Sequence, residues 1–487
     1  MAKGKGLTPR AVDFSAWYNE AVQRAELADH APVRGTMVIR PWGYGIWERM
    51  QGALDRMFKD TGHQNAYFPL LIPMNFIERE KEHVEGFKPE LAVVTHAGGK
   101  ELEEPLVVRP TSETIIYAMY AKWVQSYRDL PLLINQWANV MRWELRTRPF
   151  LRTTEFLWQE GHTAHATREE AVEETLGILA LYRRFMEEWV ALPVVTGRKS
   201  ESEKFAGAQE TYTCEAMMQD RRALQAGTSH HLGQSFARQF GLTFQNEEGT
   251  ESYAWNTSWG VTTRLIGAMV MTHGDDRGIV VPPKLAPAQV VIVPISPTDA
   301  DCSVVVPKAH EVRERLATAG LRARVDDRDH LSPGAKFYEW ERKGVPYRIE
   351  IGPRDLARGE VVLVPRVREE GGKRKEFLPE KEAVAGLPDR LGALQAALLE
   401  RAQARRERHT YRGVERWEEL VEILNGPGGF VHTGWSGDPA VEARVKEATG
   451  GTLRCMPGPD FGSESVPKRC IGGSEPAEVE VLWAKAY

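Results

Sequence analysis

Four clusters in this chain combine residue types that could do chemistry on a small polar ligand. In Arg109-Pro-Thr-Ser-Glu113, Thr111 and Glu113 stand two apart, so extended backbone would put a hydroxyl and a carboxylate on one face. That pair can hold a cationic amine. In the second cluster Arg142 and Glu144, expected on one strand face, are followed by Arg152 and Thr153. Phe156, Trp158, Glu160 and His162 then recur at alternate positions. A strand face of charges, aromatics and an imidazole is a poor core and a good ligand floor; a salt-bridged edge strand is the plainer reading. The third cluster, Gln225 to Gly233, sets Thr228 and His230 beside glycines that let a ligand approach closely. Its paired histidines lack a second ligand pair at zinc spacing, so no metal is expected there. In the fourth, Thr262 and Arg264 open an apolar helix, and an arginine beside hydroxyls at a helix start can receive a triphosphate. Taken alone, the first cluster also fits a solvated loop and the fourth an ordinary helix start. The chain has no Walker loop, GxGxxG fingerprint or GxSxG elbow, so ATP would not sit in a P-loop fold.

The elements that must position these clusters follow from periodicity. Helices are predicted over 15–28 and 42–59, then a short apolar strand over 66–73. Strands over 132–145 and 154–164 are joined by an arginine-rich loop. A long helix over 167–190 starts with capping-box spacing at Thr167 and Glu170. Strands mixed with flanking helices indicate an α+β unit on a mainly antiparallel sheet. A proline-rich linker at 281–287 follows. Beyond it a strand at 290–293, a helix at 307–319, a strand at 322–325, a helix at 334–343 and a strand at 347–351 predict a compact α/β domain with parallel strands. A charged helical stretch over 391–408 leads into a small third domain. The boundaries fall at 1–284, 285–400 and 401–487.

A length of 487 residues suits about three domains. Four scattered cysteines, Cys214, Cys302, Cys455 and Cys470, argue against a disulfide framework. No apolar run approaches the ~18 residues of a membrane span, and the start lacks a signal-peptide core. A cytoplasmic protein without membrane contact is expected. A net charge of −5 does not by itself point to nucleic acid. Local basic groups, such as Lys373-Arg374-Lys375, could still touch phosphates.

These clusters, in this order, resemble the class II aminoacyl-tRNA synthetases. Segment 66–73 resembles that family's motif 1, which builds the dimer interface. Arg142-Trp-Glu144 with its loop resembles motif 2, and Thr262-Thr-Arg264 with its helix resembles motif 3. Arg109-Pro-Thr-Ser-Glu113, Phe150-Leu-Arg-Thr153, Glu155-Phe-Leu-Trp-Gln-Glu-Gly-His162 and Gly227-Thr-Ser-His-His-Leu-Gly233 are more specific. Together they resemble the prolyl enzymes in their eukaryote- and archaeon-like form, over nearly the whole chain. Two alternatives fare worse: the Gly227 to Gly233 string argues against a threonyl-type enzyme, and the presence of both Arg142 and Arg264 against a catalytically silent relative.

The resemblance implies an α+β class II catalytic domain on a six- to seven-stranded antiparallel sheet with flanking helices. An α/β anticodon-binding domain and a small C-terminal α/β domain would follow. It implies a homodimer that joins L-proline to tRNA(Pro) in two steps, through a prolyl-adenylate, using ATP and Mg2+. Arg142 and Arg264 would be the catalytic residues. Arg142 would hold the α-phosphate and the proline carboxylate, Glu144 the adenine amino group, and Phe156 would stack on the ring. Arg152 and Thr153 would complete the nucleotide site, with Gln225, Thr228, Thr262 and Arg264 on the ribose and outer phosphates. Thr111, Glu113 and His230 would receive proline in a pocket shaped by Trp158, Glu160, His162 and Phe205. Glu341 and Asp355, with Arg348 or Arg354, would read two anticodon guanines. The family's C-terminal domain often holds zinc with four cysteines. Here Cys455 and Cys470, even with His432, fall short of four ligands, so no zinc is expected. The span from Glu144 to Thr262 leaves no room for the editing domain that bacterial-type relatives insert.

Overall fold

The computed structural model describes residues 6–78, 91–296, 298–367, 374–465 and 467–487, so Lys373 of the basic triplet lies outside them. Helix α1 (Phe14–Arg24) starts where the Asp13 side chain accepts from the Ala16 N–H. Helix α2 (Pro41–Asp60) opens on a proline, whose missing N–H costs nothing at that position. Both bury their apolar faces, Trp17, Tyr18, Trp47 and Phe58 among them, in the largest core. The predicted helix 15–28 stops early because Glu26 takes a left-handed φ of 57° and Ala28 begins a strand.

The main sheet receives β1 (Gln64–Asn65), β2 (Leu132–Met141), β3 (Glu155–His165), β4 (Val194–Arg198), β5 (Glu210–Met217), β6 (Ala223–Gly233) and β7 (Trp255–Thr262). Their order is β4-β5-β6-β7-β3-β2-β1, antiparallel except where β1 runs beside β2. Helices α3 (Glu113–Trp123), α4 (Arg168–Glu188) and α5 (Arg264–His273) flank it. Gly161 on β3 leaves room for Trp259 of β7: a Cβ there would lie 2.1 Å from the indole.

Three local expectations are corrected. The strand 66–73 is broken. Gln64–Asn65 joins the main sheet, while Leu71–Pro73 pairs with Lys100–Val108 in a separate sheet, and Pro69 between them has no N–H for a ladder. The strand 132–145 ends at Met141. Glu144 turns back to accept from the Arg146 N–H at 2.9 Å and from Arg152, which carries the chain out of the ladder. Arg142 and Glu144 therefore do not share a strand face. Finally, Glu113 is not on extended chain; it is the first residue of α3, with Ser112 at the cap position.

The second unit contains β8 (Val290–Pro294), α6 (Asp299–Thr318), β9 (Ala323–Val325), α7 (Pro333–Arg342), β10 (Tyr347–Ile351), β11 (Glu360–Pro365), β12 (Glu376–Pro379) and α8 (Glu380–Arg408). Its sheet is mixed rather than wholly parallel: β8 is parallel to β9 and β10, but β11 runs antiparallel to β10 and β12. Helix α6 starts well before the predicted 307, because the Thr298 hydroxyl caps it by accepting from the Asp301 N–H, and Pro307 lies inside it. Helix α8 likewise starts before 391 and runs through Pro388. The second unit grips the end of α5. Arg405 donates to the Thr272 carbonyl at 2.9 Å, and Arg366 forks onto the Asp275 carboxylate at 2.8 and 2.7 Å.

The third unit does not form a separate sheet. Its strands β13 (Thr410–Tyr411), β14 (Phe430–Trp435), β15 (Thr452–Pro457) and β16 (Val479–Ala484), with helix α9 (Pro439–Thr449), extend the main sheet to eleven strands, β15 pairing with β4. A buried ion cluster sits at this seam. Glu215 on β5 accepts from Arg454 on β15 at 3.0 and 3.1 Å and lies 3.2 Å from Lys199 Nζ. Burial alone would raise the Glu215 pKa, but Arg454 and Lys199 hold it at about 2. The ionised carboxylate thus stabilises the fold fully above its ordinary pKa of about 4.5, and this is lost as pH falls towards 2. Glu215→Gln leaves two buried cations without a counter-charge and should cost about 3–5 kcal/mol, read from urea unfolding at neutral pH. Unfolding at the wild-type urea midpoint would show that the cluster does not hold the seam.

Candidate active site

Strands β3, β6 and β7, the start of α3, the 142–154 loop and the start of α5 enclose a cleft of about 580 Å³. Every residue named above for the proline and nucleotide sites lines it.

At one end the walls are carboxylates, hydroxyls and imidazoles. The Thr111 hydroxyl donates to the Glu113 carboxylate, so the two-residue spacing brings them together even though a helix begins there. Glu160 is buried, yet its oxygens accept from Ser112 Oγ at 2.6 Å and Gln136 Nε2 at 2.7 Å, and face His162 Nε2 at 2.9 Å. Burial depresses the His162 pKa, but the bond and charge of Glu160, with the charge of Glu113, outweigh it and raise the net value. Thr211 Oγ1 meets His230 Nδ1 at 2.9 Å, and the Phe205 ring packs on that imidazole at 4.7 Å. Trp158 Nε1, His162 Nδ1 and Ser258 Oγ are buried on this wall with no partner among the described residues, atoms that a polar ligand would satisfy.

At the other end the walls are guanidiniums. Arg142 donates from Nε to the Pro110 carbonyl at 3.0 Å and lies 5.7 Å from the ring centres of both Phe156 and Trp158. Arg152 holds Glu144 at 2.7 Å. Burial would raise the Glu144 pKa, but the Arg146 N–H and Arg152 hold it below the ordinary range. Thr153 Oγ1 donates to the Glu155 carbonyl at 2.8 Å. Arg264, at the first turn of α5, donates to the Leu151 carbonyl at 3.2 Å and the Gln225 carbonyl at 3.4 Å, while its own N–H donates to Thr262 Oγ1 at 3.0 Å. Burial, then the charges of Arg142 and Arg152, pull its pKa down to about 10. This end carries more positive charge than its carboxylates balance.

Tyr487 also lines the cleft, a residue that sequence reasoning passed over. Its hydroxyl donates to Asp220 at 2.6 Å, and Arg148 of the 142–154 loop lies 5.3 Å from its ring centre and 4.8 Å from that of Tyr18. No local signal marks it; a bridge between Ala223 and Ala486 carries the segment there. Thr211 and Ser258 were missed too. Ser258 lies on β7 four residues before Thr262, and Thr211 is the register partner of His230.

A second hollow of about 240 Å³ lies on the second unit, where Phe337, Glu341, Arg348, Arg374 and Lys375 are among its walls. Arg348 stacks 4.2 Å over Phe337 and donates to Glu350 at 2.8 Å; Glu341 accepts from Arg277 at 2.8 Å. Arg354 and Asp355 do not line it. Asp355 accepts from the Gly352 N–H at 2.9 Å and caps a short helix. Cys455 and Cys470 are buried in different apolar clusters, and His432 Nδ1 meets Glu480 at 3.2 Å. Among the described residues no group of three or more His, Cys, Asp or Glu side chains could hold a metal ion, and no helix is long and apolar enough to cross a membrane.

The antiparallel sheet, with Arg264 at the start of the helix after β7, fits the class II aminoacyl-tRNA synthetases that the sequence resembles, and similarity to known proteins shows that family. The family model of the tRNA synthetase class II core domain (G, H, P, S and T) matches residues 93–273. That of an anticodon binding domain matches 289–390, and that of the prolyl-tRNA synthetase C-terminal domain matches 417–487. The proline–tRNA ligase of Chloroherpeton thalassium is 55% identical across 99% of both chains. That of Roseiflexus castenholzii is 54% identical across 99% of both. The chloroplastic/mitochondrial one of Arabidopsis thaliana is 53% identical over 100% of this chain and 89% of its own. The chain belongs to the proline–tRNA ligases, enzymes that use ATP to join proline to tRNA.

Proposed function

We propose that the cleft is where ATP and L-proline react, with the guanidinium end taking the nucleotide and the carboxylate end the amino acid. The observation that carries this is the convergence of Arg142, Arg152 and Arg264 on one end of the cleft, where burial first, and then the charges of Arg142 and Arg152, depress Arg264. Guanidiniums that disfavour one another's charge are stabilised by a polyanion between them. Arg142 lies at the junction of the two ends and would hold the α-phosphate and the proline carboxylate together. Glu144 and Phe156 would take the adenine; Arg152, Thr153, Gln225, Thr228, Thr262 and Arg264 would take the ribose and phosphates.

Proline's secondary ammonium has two N–H donors. Glu113 accepts one; Thr111, whose own hydrogen points to Glu113, keeps lone pairs for the other. His230, Trp158, Glu160, His162 and Phe205 would shape the space for the ring. The proline carboxylate then attacks the α-phosphate in line, forming the adenylate and releasing pyrophosphate. The ribose hydroxyl at the tRNA terminus attacks the adenylate carbonyl and releases AMP. Charge develops on phosphate oxygens, where Arg142 and Arg264 already stand, so positioning and electrostatics supply the catalysis without a dedicated general base. Mg2+ would add charge on the triphosphate. Arg142→Ala should abolish proline-dependent ATP–pyrophosphate exchange with unchanged circular dichroism; near-normal exchange by the folded variant would refute the assignment.

For the anticodon, Glu341 and Arg348 flank an aromatic wall and supply an acceptor and a donor for the edges of two unstacked guanines. Arg354 and Asp355 lie outside that hollow, so the proposal rests on the first pair. Glu341→Ala should weaken aminoacylation by about 1–3 kcal/mol and leave tRNA-free exchange unchanged. Because Glu341 also pairs with Arg277, a parallel fall in exchange would assign it to the interface between units instead.

The compartment is read as the cytoplasm, on four cysteines that form no disulfide. A two-fold homodimer is proposed through the 64–73 region, where Tyr67 and Leu71 are 70% and 40% exposed. Solution scattering at micromolar concentration should give twice the chain mass, and a monomer mass would contradict it.

A further inference from the structure

The connection between β4 and β5, residues 199–209, supplies Glu203, Lys204 and Phe205 to the amino-acid end of the cleft, yet it is built of turns rather than of strand or helix. A wall on such a segment needs outside support, because ordering irregular backbone costs conformational entropy. At its root the Lys199 N–H donates to the Thr211 carbonyl at 2.8 Å, and the Lys199 ammonium lies 3.2 Å from Glu215. Further along, the Phe205 N–H donates to Thr211 Oγ1 at 3.0 Å, and the Phe205 ring packs 4.7 Å from that of His230. Between them the Lys204 N–H closes a turn onto the Ser200 carbonyl at 2.9 Å. Both hydroxyls of that turn reach out of the catalytic unit. Ser200 Oγ donates to Glu442 Oε2 at 3.0 Å, and Ser202 Oγ donates to the same oxygen at 2.6 Å. Glu442 belongs to α9 of the third unit. It is 9% exposed and Ser200 is 2% exposed, so water competes little for these bonds, and a charged acceptor makes them stronger than neutral ones.

We propose that Glu442 is a positioning residue for proline: through Ser200 and Ser202 it fixes the turn that sets Phe205 against His230. A carboxylate of the third unit thereby determines how closely the pocket fits a five-membered ring, although Glu442 itself does not line the cleft. This rests on the reading of Phe205 as a wall of the proline pocket.

Glu442→Met keeps the length of the side chain and removes the acceptor. In ATP–pyrophosphate exchange the KM for proline should rise about tenfold, the worth of a hydrogen bond to a charged group, with the KM for ATP unchanged. Alanine leaves the ring space empty. Its kcat/KM should stay at the wild-type value, so the preference for proline over alanine falls by the same factor. A merely structural role would lower both amino acids together. Glu442→Gln, whose amide oxygen still accepts from both hydroxyls, should restore wild-type behaviour. In a Phe205→Ala background, adding Glu442→Met should change the KM for proline no further, because the ring that Glu442 positions is gone. If Glu442→Met does not fold, Ser200→Ala combined with Ser202→Ala removes the same bonds from the other side and decides the matter. Equal losses for proline and alanine, unchanged kinetics, or an effect that persists in full beside Phe205→Ala would overturn the proposal. If Phe205→Ala itself leaves the KM for proline unchanged, the reading of Phe205 as a pocket wall fails. If it raises that KM while Glu442→Met does not, only the role of Glu442 fails.

Discussion

An ionised side chain can be buried only where donors and counter-charges meet it, and the catalytic sheet is arranged around that requirement. Strand β3 shows how. Alternation sends Trp158, Glu160 and His162 into the cleft, and sends Gln159 and Gly161 to the opposite side. There Gln159 bonds Asn135 and Tyr182, and Gly161 admits Trp259. The apolar and amide-satisfied side lets α2 and α4 pack, while the charged side is balanced residue by residue by Ser112, Gln136 and His162 around Glu160. The guanidinium end departs from this balance. Arg142, Arg152 and Arg264 exceed the carboxylates beside them; burial, and then the charges of Arg142 and Arg152, depress the Arg264 pKa. A polyanionic ligand would complete what the fold leaves incomplete.

Helix α5 carries that requirement to the second unit. It has ten residues, about 15 Å of rigid rod. Arg264 stands at its first turn, and its end is held by Arg405 on the Thr272 carbonyl and by the Arg366 fork on Asp275. Arg277, two residues on, bridges Asp275 to Glu341, a wall of the second hollow. The placement of a guanidinium in the cleft is thus fixed partly by Arg366, just after β11, and by Arg405 of α8. A packed helix transmits such placement well, and positional errors of an ångström are costly in a site that works by alignment.

Much of this was legible in the sequence, for identifiable reasons. Long periodic segments such as α2 and α4 emerged near their bounds because a core face and a cap mark them locally. The cleft residues were legible because motifs quoted from distant stretches converge on one sheet. What failed was local geometry set by distant contacts. Glu144 leaves the strand because Arg152 and the Arg146 N–H capture it, and an alternation pattern cannot show that capture. Segment 66–73 reads as one apolar strand, but its two halves find partners in different sheets. Helix α6 runs past its own proline because Thr298 caps it earlier. Gln136 and Tyr487 carry no local mark; their roles exist only in the pairing of β2 with β3 and in the bridge from Ala486 to Ala223.

The third unit illustrates the last point most fully. Its strands continue the catalytic sheet through β15 and β4, and the seam holds a buried cluster of Glu215, Lys199 and Arg454 beside apolar contacts among Val195, Met217, Cys455 and Leu482. Glu215 and Arg454 also act on the charge of Arg264. From the far side the same unit sends Tyr487 back to the cleft, where its ring and that of Tyr18 both contact Arg148 of the 142–154 loop. A loop of arginines has strong reason to swing into water, since its charges are best solvated there. The two aromatic contacts of Arg148 oppose that at modest cost, because a guanidinium keeps favourable electrostatics against a π-system while it is partly desolvated. The third unit therefore reaches the cleft: without its strands the sheet has an open edge at β4, and without Tyr487 the loop that carries Arg142 and Arg152 loses one of the aromatic contacts of Arg148.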